Sequence, residues 1–190
     1  MKKLYSGMDL PIKTRVALFW KGLFYDTKNT DGPLALDKNI PGLSGVLFLL
    51  PEAENYVRVV RIFLQSIQNA LGPSPAIKIE YALAKKSRIS YGTLVKEPLI
   101  VYSSSDLNYW GLPKRKLLNK CSDLDINAAI DLNPDFNPIA VTIMQAAEAK
   151  VKIGYYSRKG ERYYNILIDR KNTDFLEQGN RYIIQLLGLN

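Results

Sequence analysis

Two short loops in this sequence concentrate acidic and amide side chains. Residues 51–55 read Pro-Glu-Ala-Glu-Asn, and residues 133–137 read Asn-Pro-Asp-Phe-Asn. If the fold brings the loops together, Glu52 or Glu54 opposite Asp135 forms a carboxylate pair. Such a pair raises the pKa of one member, which suits acid–base chemistry, or binds a divalent cation through its oxygens.

We therefore predict a ligand-binding site at these two loops. The candidate residues are Glu52, Glu54, Asn55, Asn133, Asp135 and Asn137. A structural interpretation stays open, because acidic and amide residues at helix N-termini favour the helix dipole and cap free backbone amides. The sequence assigns no residue a catalytic role, and it predicts no metal and no cofactor.

Several familiar chemistries are excluded by residues that are absent. The chain has no histidine, which removes Ser-His-Asp and Cys-His catalysis and the usual zinc and haem ligands. Cys121 is the single cysteine, so no internal disulfide forms. The loop at 51–55 contains no glycine, which disfavours a dinucleotide fingerprint, and no phosphate-cradling loop ending in Gly-Lys-Ser/Thr occurs.

The net charge of +8 suits an anionic partner, although a solvated basic surface explains it equally simply. A basic run at Lys114, Arg115 and Lys116 could contact phosphate or lipid headgroups. Aromatic and basic residues also alternate over residues 155–164, but strand alternation gives the same composition, so nucleic-acid binding is disfavoured. A sugar, a sugar phosphate or a protein are the partners that we expect.

Alternating patterns predict strands and helices along most of the chain. An uninterrupted apolar run at 44–50 indicates a central strand, and a stripe of apolar residues at 55–71 indicates a long amphipathic helix. Further strands are predicted at 76–83, 98–102 and 127–132, further helices at 112–121, 139–149 and 173–187, and a pair of edge strands at 151–153 and 162–168.

Strands that alternate with helices predict a three-layer, Rossmann-like α/β domain with a mostly parallel sheet, helices on both faces and an antiparallel edge hairpin. We expect residues 1–43 to form an N-terminal helix and connection, and residues 44–190 to form the domain. Ligands of such sheets bind where the strand order reverses. That rule places the crevice between the strands at 44–50 and 127–132.

Residues 11–24 form an amphipathic pattern, with Ile12, Val16 and Phe19 on one face and Lys13 and Thr14 opposite. This helix could lie on an anionic membrane or dock on protein, and both interpretations stay open. The longest apolar stretches are far shorter than the ~20 residues of a membrane span, and no signal peptide is recognisable. We expect a cytoplasmic protein, with peripheral contact to the inner membrane through residues 11–24 as an option.

Three segments resemble the N-terminal half of the lipopolysaccharide heptosyltransferase family. They are Ala-Ile-Asp-Leu at 129–132, Ala-Lys-Val-Lys-Ile-Gly at 149–154, and the C-terminal stretch at 180–189. The chain is also similar to a group of uncharacterised bacterial proteins of this size. The resemblance implies a GT-B type of fold, in which a second half binds the nucleotide sugar, and we expect this chain to lack that half.

The family carries a Gly-Asp pair after its first strand, and its Asp is implicated as the base. Here that region reads Pro51-Glu52-Ala53-Glu54. The resemblance therefore favours a non-catalytic binding or assembly module of cell-envelope biosynthesis over an enzyme. Two alternatives stay open: an enzyme completed by a partner chain through Glu52, Glu54 or Asp135, and a peripheral membrane or scaffolding protein.

Overall fold

A computed structural model of the chain describes residues 13–14, 40, 42–72, 77–95, 99–169 and 176–189. In these residues, six strands form one sheet with the order β3-β2-β1-β4-β5-β6. The strands are β1 (Gly45–Leu49), β2 (Lys78–Ala84), β3 (Leu99–Tyr102), β4 (Ala128–Asp131), β5 (Val151–Tyr155) and β6 (Ile166–Ile168). Every neighbouring pair runs parallel.

Helices connect most of the strands. They are α1 (Glu54–Leu71), α2 (Arg88–Tyr91), α3 (Arg115–Ser122), α4 (Pro138–Ala146) and α5 (Leu176–Leu186), accompanied by short 3-10 turns at Lys85–Ser87, Gly92–Leu94, Ser104–Asp106 and Glu161–Tyr163. None of the helices in the described ranges is long and apolar enough to cross a bilayer.

The central strand β1 divides its side chains between two apolar layers. Val46 and Phe48 pack with α1 and α5 on one face, whereas Leu47 and Leu49 pack with α3 and α4 on the other. Successive side chains of a strand point to opposite faces, so a strand covered on both sides needs apolar residues at every position. The predicted three-layer Rossmann-like fold is confirmed.

The helix α1 shows how the sequence fixes each covering layer. Its buried residues are Val57, Val60, Phe63, Leu64 and Ile67, a spacing of three and four that gives one apolar stripe. Gly72 follows the helix with a φ of 70°, a conformation that glycine adopts without strain. The stripe packs on the sheet, so α1 begins at a defined place beside the end of β1.

The predicted antiparallel edge hairpin is wrong, because β6 pairs with β5 in parallel. A turn does form after β5, where the Gly160 amide donates to the Ser157 carbonyl at 2.9 Å. The 3-10 turn Glu161–Tyr163 then leads the chain back towards the start of β5. Asn165 bonds there to both the amide and the carbonyl of Lys152, so β6 starts level with the middle of β5 and runs beside it.

The sequence of strand β2 alternates apolar residues with Lys78, Glu80 and Ala82. Glu80 and Ala82 are nevertheless buried. Helices cover both faces of this sheet, so an inner strand has no solvent face. The Lys78 ammonium contacts Glu80 Oε1 at 2.8 Å and neutralises the buried carboxylate, and this pairing raises the pKa of Lys78.

The predicted N-terminal helix falls almost entirely outside the described residues. Lys13 and Thr14 are helical, and Thr14 is buried where the amphipathic pattern placed it on the polar face. Its hydroxyl donates to the Trp110 carbonyl at 2.7 Å, which explains how a polar side chain is buried there. Ile40, before the predicted domain boundary, packs in the same core as β1 and donates to the Leu186 carbonyl.

Candidate functional site

The strand order reverses between β1 and β4, and both acidic loops leave the sheet at that edge. The two strands stay paired up to their ends, where the Leu132 amide donates to the Leu49 carbonyl at 3.0 Å. Just beyond, the first turn of α1 contacts the second loop, since the Tyr56 hydroxyl donates to Asp135 Oδ2 at 3.4 Å. The two loops predicted to form the site therefore follow neighbouring strands at the point where the strand order reverses.

The two carboxylates of the first loop have different surroundings. Glu52 turns towards the β2 and β3 side, where its Oε2 contacts the Lys86 ammonium at 2.6 Å and its Oε1 accepts from the Tyr102 hydroxyl at 3.4 Å. Glu54 is exposed in the first turn of α1, beside the exposed Asn55. Its negative charge interacts favourably with the positive end of the helix dipole. No side chain caps this helix.

The amides of the second loop turn inward and bond to one another. Asn137 Oδ1 accepts from the amides of Ile139 and Ala140, at 3.0 and 3.3 Å, and so caps α4. Its Nδ2 donates to Asn133 Oδ1 at 3.2 Å. Asn133 and Asn137 thus fix the loop, whereas Asp135 at the tip is exposed to solvent.

Asp131, the last residue of β4, was not among the predicted site residues. Its side chain is 1% exposed. Oδ1 accepts from the amide and side chain of Asn133, at 2.9 and 2.6 Å, and Oδ2 accepts from the Tyr164 hydroxyl at 2.8 Å. Burial raises the pKa of Asp131 to about 6, and the three hydrogen bonds oppose that shift.

Two buried tyrosines interact with this carboxylate, Tyr164 by a hydrogen bond and Tyr102 through its charge. The Tyr164 ring packs against Gly154 in β5, where a Cβ would lie 2.6 Å from Cζ of the ring. Burial, followed by the charge of Asp131, raises the pKa of Tyr164 far above its usual range. Tyr102 is also buried, and burial and then the charge of Glu52 raise its pKa in the same way. These hydroxyls therefore act as hydrogen-bond donors at neutral pH.

A groove of about 420 Å³ lies beside the crevice, between α1 and the segment that contains α2. Glu54 stands at one end of it, Arg58 and Arg61 follow along the helix, and Ser90 and Leu94 line the opposite wall. Both arginines are exposed, and neither forms an ion pair in the described part of the chain. The groove is continuous with the predicted site only through Glu54.

Two further kinds of chemistry, metal binding and nucleophilic attack by a thiol, find little support among the described residues. Within the described ranges, no three acidic or cysteine side chains gather closely enough to hold a metal ion. The thiol of Cys121 is buried in α3, and burial raises its pKa to about 12. A thiol in that state carries very little of the nucleophilic thiolate at neutral pH.

Replacing the capping residue Asn137 with alanine should lower the free energy of unfolding by about 1–2 kcal/mol, because two amides of α4 and the Asn133 carbonyl oxygen lose their partner. Urea unfolding measures this loss. Asn55→Ala is the matched control, and it should stay within about 0.5 kcal/mol of the wild type because Asn55 is exposed. Equal effects of both variants would contradict the capping role.

An all-parallel sheet with helices on both faces and polar loops at its switch point defines the class, a Rossmann-like α/β domain. The chain belongs to the family of unknown function DUF6913, whose model matches residues 61–186. A comparison with curated proteins found no match.

One solved structure is similar in fold, a glycosyl transferase family 9 protein from Veillonella parvula, with a TM-score of 0.55 and 17% sequence identity. The similarity covers 77% of this chain and 42% of that one, so this chain spans less than half of its length. At that identity the likeness concerns the fold. It does not specify which half of that protein is matched.

Proposed function

We propose that this chain is a non-catalytic binding module related to the glycosyltransferases, and that it holds a sugar phosphate across the crevice and the adjoining groove. The observation that carries the proposal is the position of Glu54. It belongs to the loop at the switch point, and it also stands at the end of the groove that contains Arg58 and Arg61. One ligand can therefore reach both places.

The crevice suits the sugar part of such a ligand. Glu54 and Asp135 present exposed carboxylates, and Tyr56 adds a hydroxyl. Carboxylates accept hydrogen bonds from sugar hydroxyls, and such bonds to a charged group are the stronger ones. Because acidic groups repel phosphate, the phosphate of the ligand should not lie here.

The groove suits the phosphate. Arg58 and Arg61 are one helical turn apart on the exposed side of α1, and a guanidinium binds phosphate oxygens in a bidentate manner. Ser90 adds a hydroxyl from the opposite wall. A volume of about 420 Å³ lies in the range of small-molecule sites.

The carboxylates support binding better than catalysis. A general base must reach the substrate and have a pKa tuned to its task. Asp131 has a raised pKa but is enclosed by Asn133 and Tyr164. Glu52 is engaged by the Lys86 ammonium.

Catalysis together with a partner chain is the alternative, since Glu54 and Asp135 remain exposed. Turnover of a nucleotide sugar by the purified chain would contradict the proposal.

Isothermal titration with glucose 1-phosphate tests the binding. We expect the Arg58→Gln/Arg61→Gln variant to lose about ten-fold or more in affinity, because each charged hydrogen bond contributes about 1.5–3 kcal/mol. Glucose alone and inorganic phosphate alone should each bind more weakly than glucose 1-phosphate. Arg181→Gln is the matched control, since Arg181 is an exposed helical arginine outside the groove.

The Glu54→Gln variant separates the two parts of the site. It should weaken binding of glucose 1-phosphate through the sugar, yet strengthen binding of inorganic phosphate by removing a negative charge beside the arginines. Equal losses for both probes would contradict the division of the site. No binding of any of the three probes to the wild-type chain would remove the proposal.

A further inference from the structure

The turn between the short 3-10 segment Ser104–Asp106 and α3 is held by internal hydrogen bonds and carries two exposed aromatic residues. An antiparallel bridge joins Leu107 to Pro113, and the Asn108 amide donates to the Leu112 carbonyl at 2.8 Å. Asn108 Oδ1 accepts from the amides of Trp110 and Leu112. We call residues 108–112 the aromatic turn.

The aromatic turn presents its rings to solvent instead of adding them to the core. Tyr109 is 78% exposed and Trp110 is 40% exposed. Gly111 has a φ of 74°, which lets the chain reverse so that buried Leu112 anchors the turn while the rings point outward. Exposed aromatic rings on a hydrogen-bonded support contribute little to folding, and such adjoining apolar surface marks an interaction site.

Basic residues adjoin the aromatic turn. Between residues 107 and 122 the sequence carries Lys114, Arg115, Lys116 and Lys120 but no Asp or Glu. Arg115, Lys116 and Lys120 are exposed on α3, whose buried residues are Leu117 and Cys121. From elsewhere in the chain, the Lys13 ammonium stands 4.7 Å from the centre of the Tyr109 ring. The surface therefore combines aromatic rings with an excess of positive charge, which Asp106 offsets in part through its interaction with Lys120 and Lys114.

The geometry of the rings discriminates among anionic partners. Tyr109 and Trp110 meet edge to face, with an interplanar angle of 80°, so they do not form a platform for successive nucleic-acid bases. One face of Tyr109 is occupied by Lys13. Tyr and Trp next to Lys and Arg instead match the headgroup region of a bilayer, where amphipathic rings and cations both find partners.

We propose that the aromatic turn and the exposed side of α3 form a docking surface for an anionic lipid bilayer. The rings of Tyr109 and Trp110 enter the interface, while Arg115, Lys116 and Lys120 contact acidic headgroups. This surface is separate from the proposed sugar-phosphate site. The docking surface also differs from the N-terminal amphipathic segment 11–24. That segment contacts the aromatic turn through Lys13, at Tyr109, and through Thr14, at Trp110.

Vesicle flotation with the full chain tests this surface. Vesicles of phosphatidylcholine mixed with phosphatidylglycerol should bind the chain at low salt, and pure phosphatidylcholine vesicles should bind it far less. We expect a loss of about ten-fold or more in binding to mixed vesicles for each of two variants, Tyr109→Ala/Trp110→Ala and Arg115→Glu/Lys116→Glu. In a Trp20→Phe background, the emission of Trp110 should shift to shorter wavelength on binding.

Lys150→Glu/Arg181→Glu is the matched control, because it changes the net charge equally. Lys150 precedes β5, which lies next to the edge strand β6 and away from β3. Arg181 lies on α5, which packs on the other face from α3. The control should bind mixed vesicles like the wild type. An equal loss in the control, unchanged binding by the aromatic variant, or capture of a single-stranded oligonucleotide in place of the vesicles would overturn the proposal.

Discussion

The free energy of unfolding of the wild-type protein should fall by about 2.5 kcal/mol between pH 4 and pH 7, and replacing Asp131 with asparagine should remove this fall. The carboxyl group is fully buried, and its pKa is raised from 3.8 to about 6. An asparagine of the same shape still accepts from Asn133 and can donate to the Tyr164 oxygen. It carries no charge at any pH in this range.

The sign follows from proton binding. Between the unfolded pKa near 3.8 and the folded pKa near 6, the folded protein holds a proton on Asp131 that the unfolded chain has released. Folding is therefore favoured at the acidic end, and the advantage disappears as the pH rises through about 6. Above that pH the folded state contains a buried charge, which only hydrogen bonds compensate.

Urea unfolding at pH 4, 5, 6 and 7 measures the difference between the wild type and Asp131→Asn. The free energy of unfolding of the wild type should fall relative to the variant as the pH rises. Asp123→Asn is the matched control, because Asp123 is exposed after α3, and it should follow the wild type. Parallel curves for the wild type and Asp131→Asn would show that the buried carboxyl does not titrate as described.

Replacing Gly154 with alanine should lower the free energy of unfolding by about 2–4 kcal/mol. The backbone of Gly154 is not in the left-handed region, so the cause is steric. A Cβ would lie 2.6 Å from Cζ and 2.7 Å from Cδ1 of the Tyr164 ring. To relieve the clash the ring must move, and its hydroxyl then withdraws from buried Asp131. Overpacking and loss of a charged hydrogen bond therefore add.

Gly92→Ala is the control for Gly154→Ala. Gly92 has a φ of 55° and nothing within 4 Å of an added Cβ, so only backbone strain of about 1–2 kcal/mol is expected. The double variant Gly154→Ala/Tyr164→Leu should be less destabilised than the sum of its two single variants, because the shorter side chain makes room for the methyl group. Strict additivity would show that the two residues do not compete for the same space.

Several elements could be predicted from the sequence because burial on both faces leaves a distinct pattern. The apolar run at 44–50 contains β1, and the stripe at 55–71 matches α1 to within one residue. A helix was predicted at 139–149, and α4 is present at Pro138–Ala146 with Asn137 as its cap. Each of these signals is local, so it does not depend on the fold of the rest of the chain.

The features that the sequence did not predict depend on contacts between distant residues. The direction of β6 is set by the pairing of Asn165 with Lys152, and a turn pattern at 157–160 cannot show it. The burial of Asp131 depends on Tyr164, which is far away in sequence. A signal was nevertheless present, because an acid that ends an apolar strand at a switch point must either face a ligand or find buried donors.

The position of the two predicted loops could be read from the sequence, since both lie at the point where the strand order reverses. That they bind a ligand stays a prediction. The roles of its residues could not be predicted, because they depend on side-chain direction. Asn133 and Asn137 turn inward to hold the loop, and Glu52 turns to Lys86. The groove with Arg58 and Arg61 was not predicted, because exposed arginines on an amphipathic helix look like ordinary solvated residues.

Amide chemical shifts recorded during titration with glucose 1-phosphate test the proposed site most directly. We expect the shift changes to map to two stretches, residues 52–62 around the groove and residues 131–137 at the crevice, and to be lost in Arg58→Gln/Arg61→Gln. Shift changes confined to other parts of the chain, or persisting unaltered in that variant, would contradict the assignment of the switch point as the ligand site.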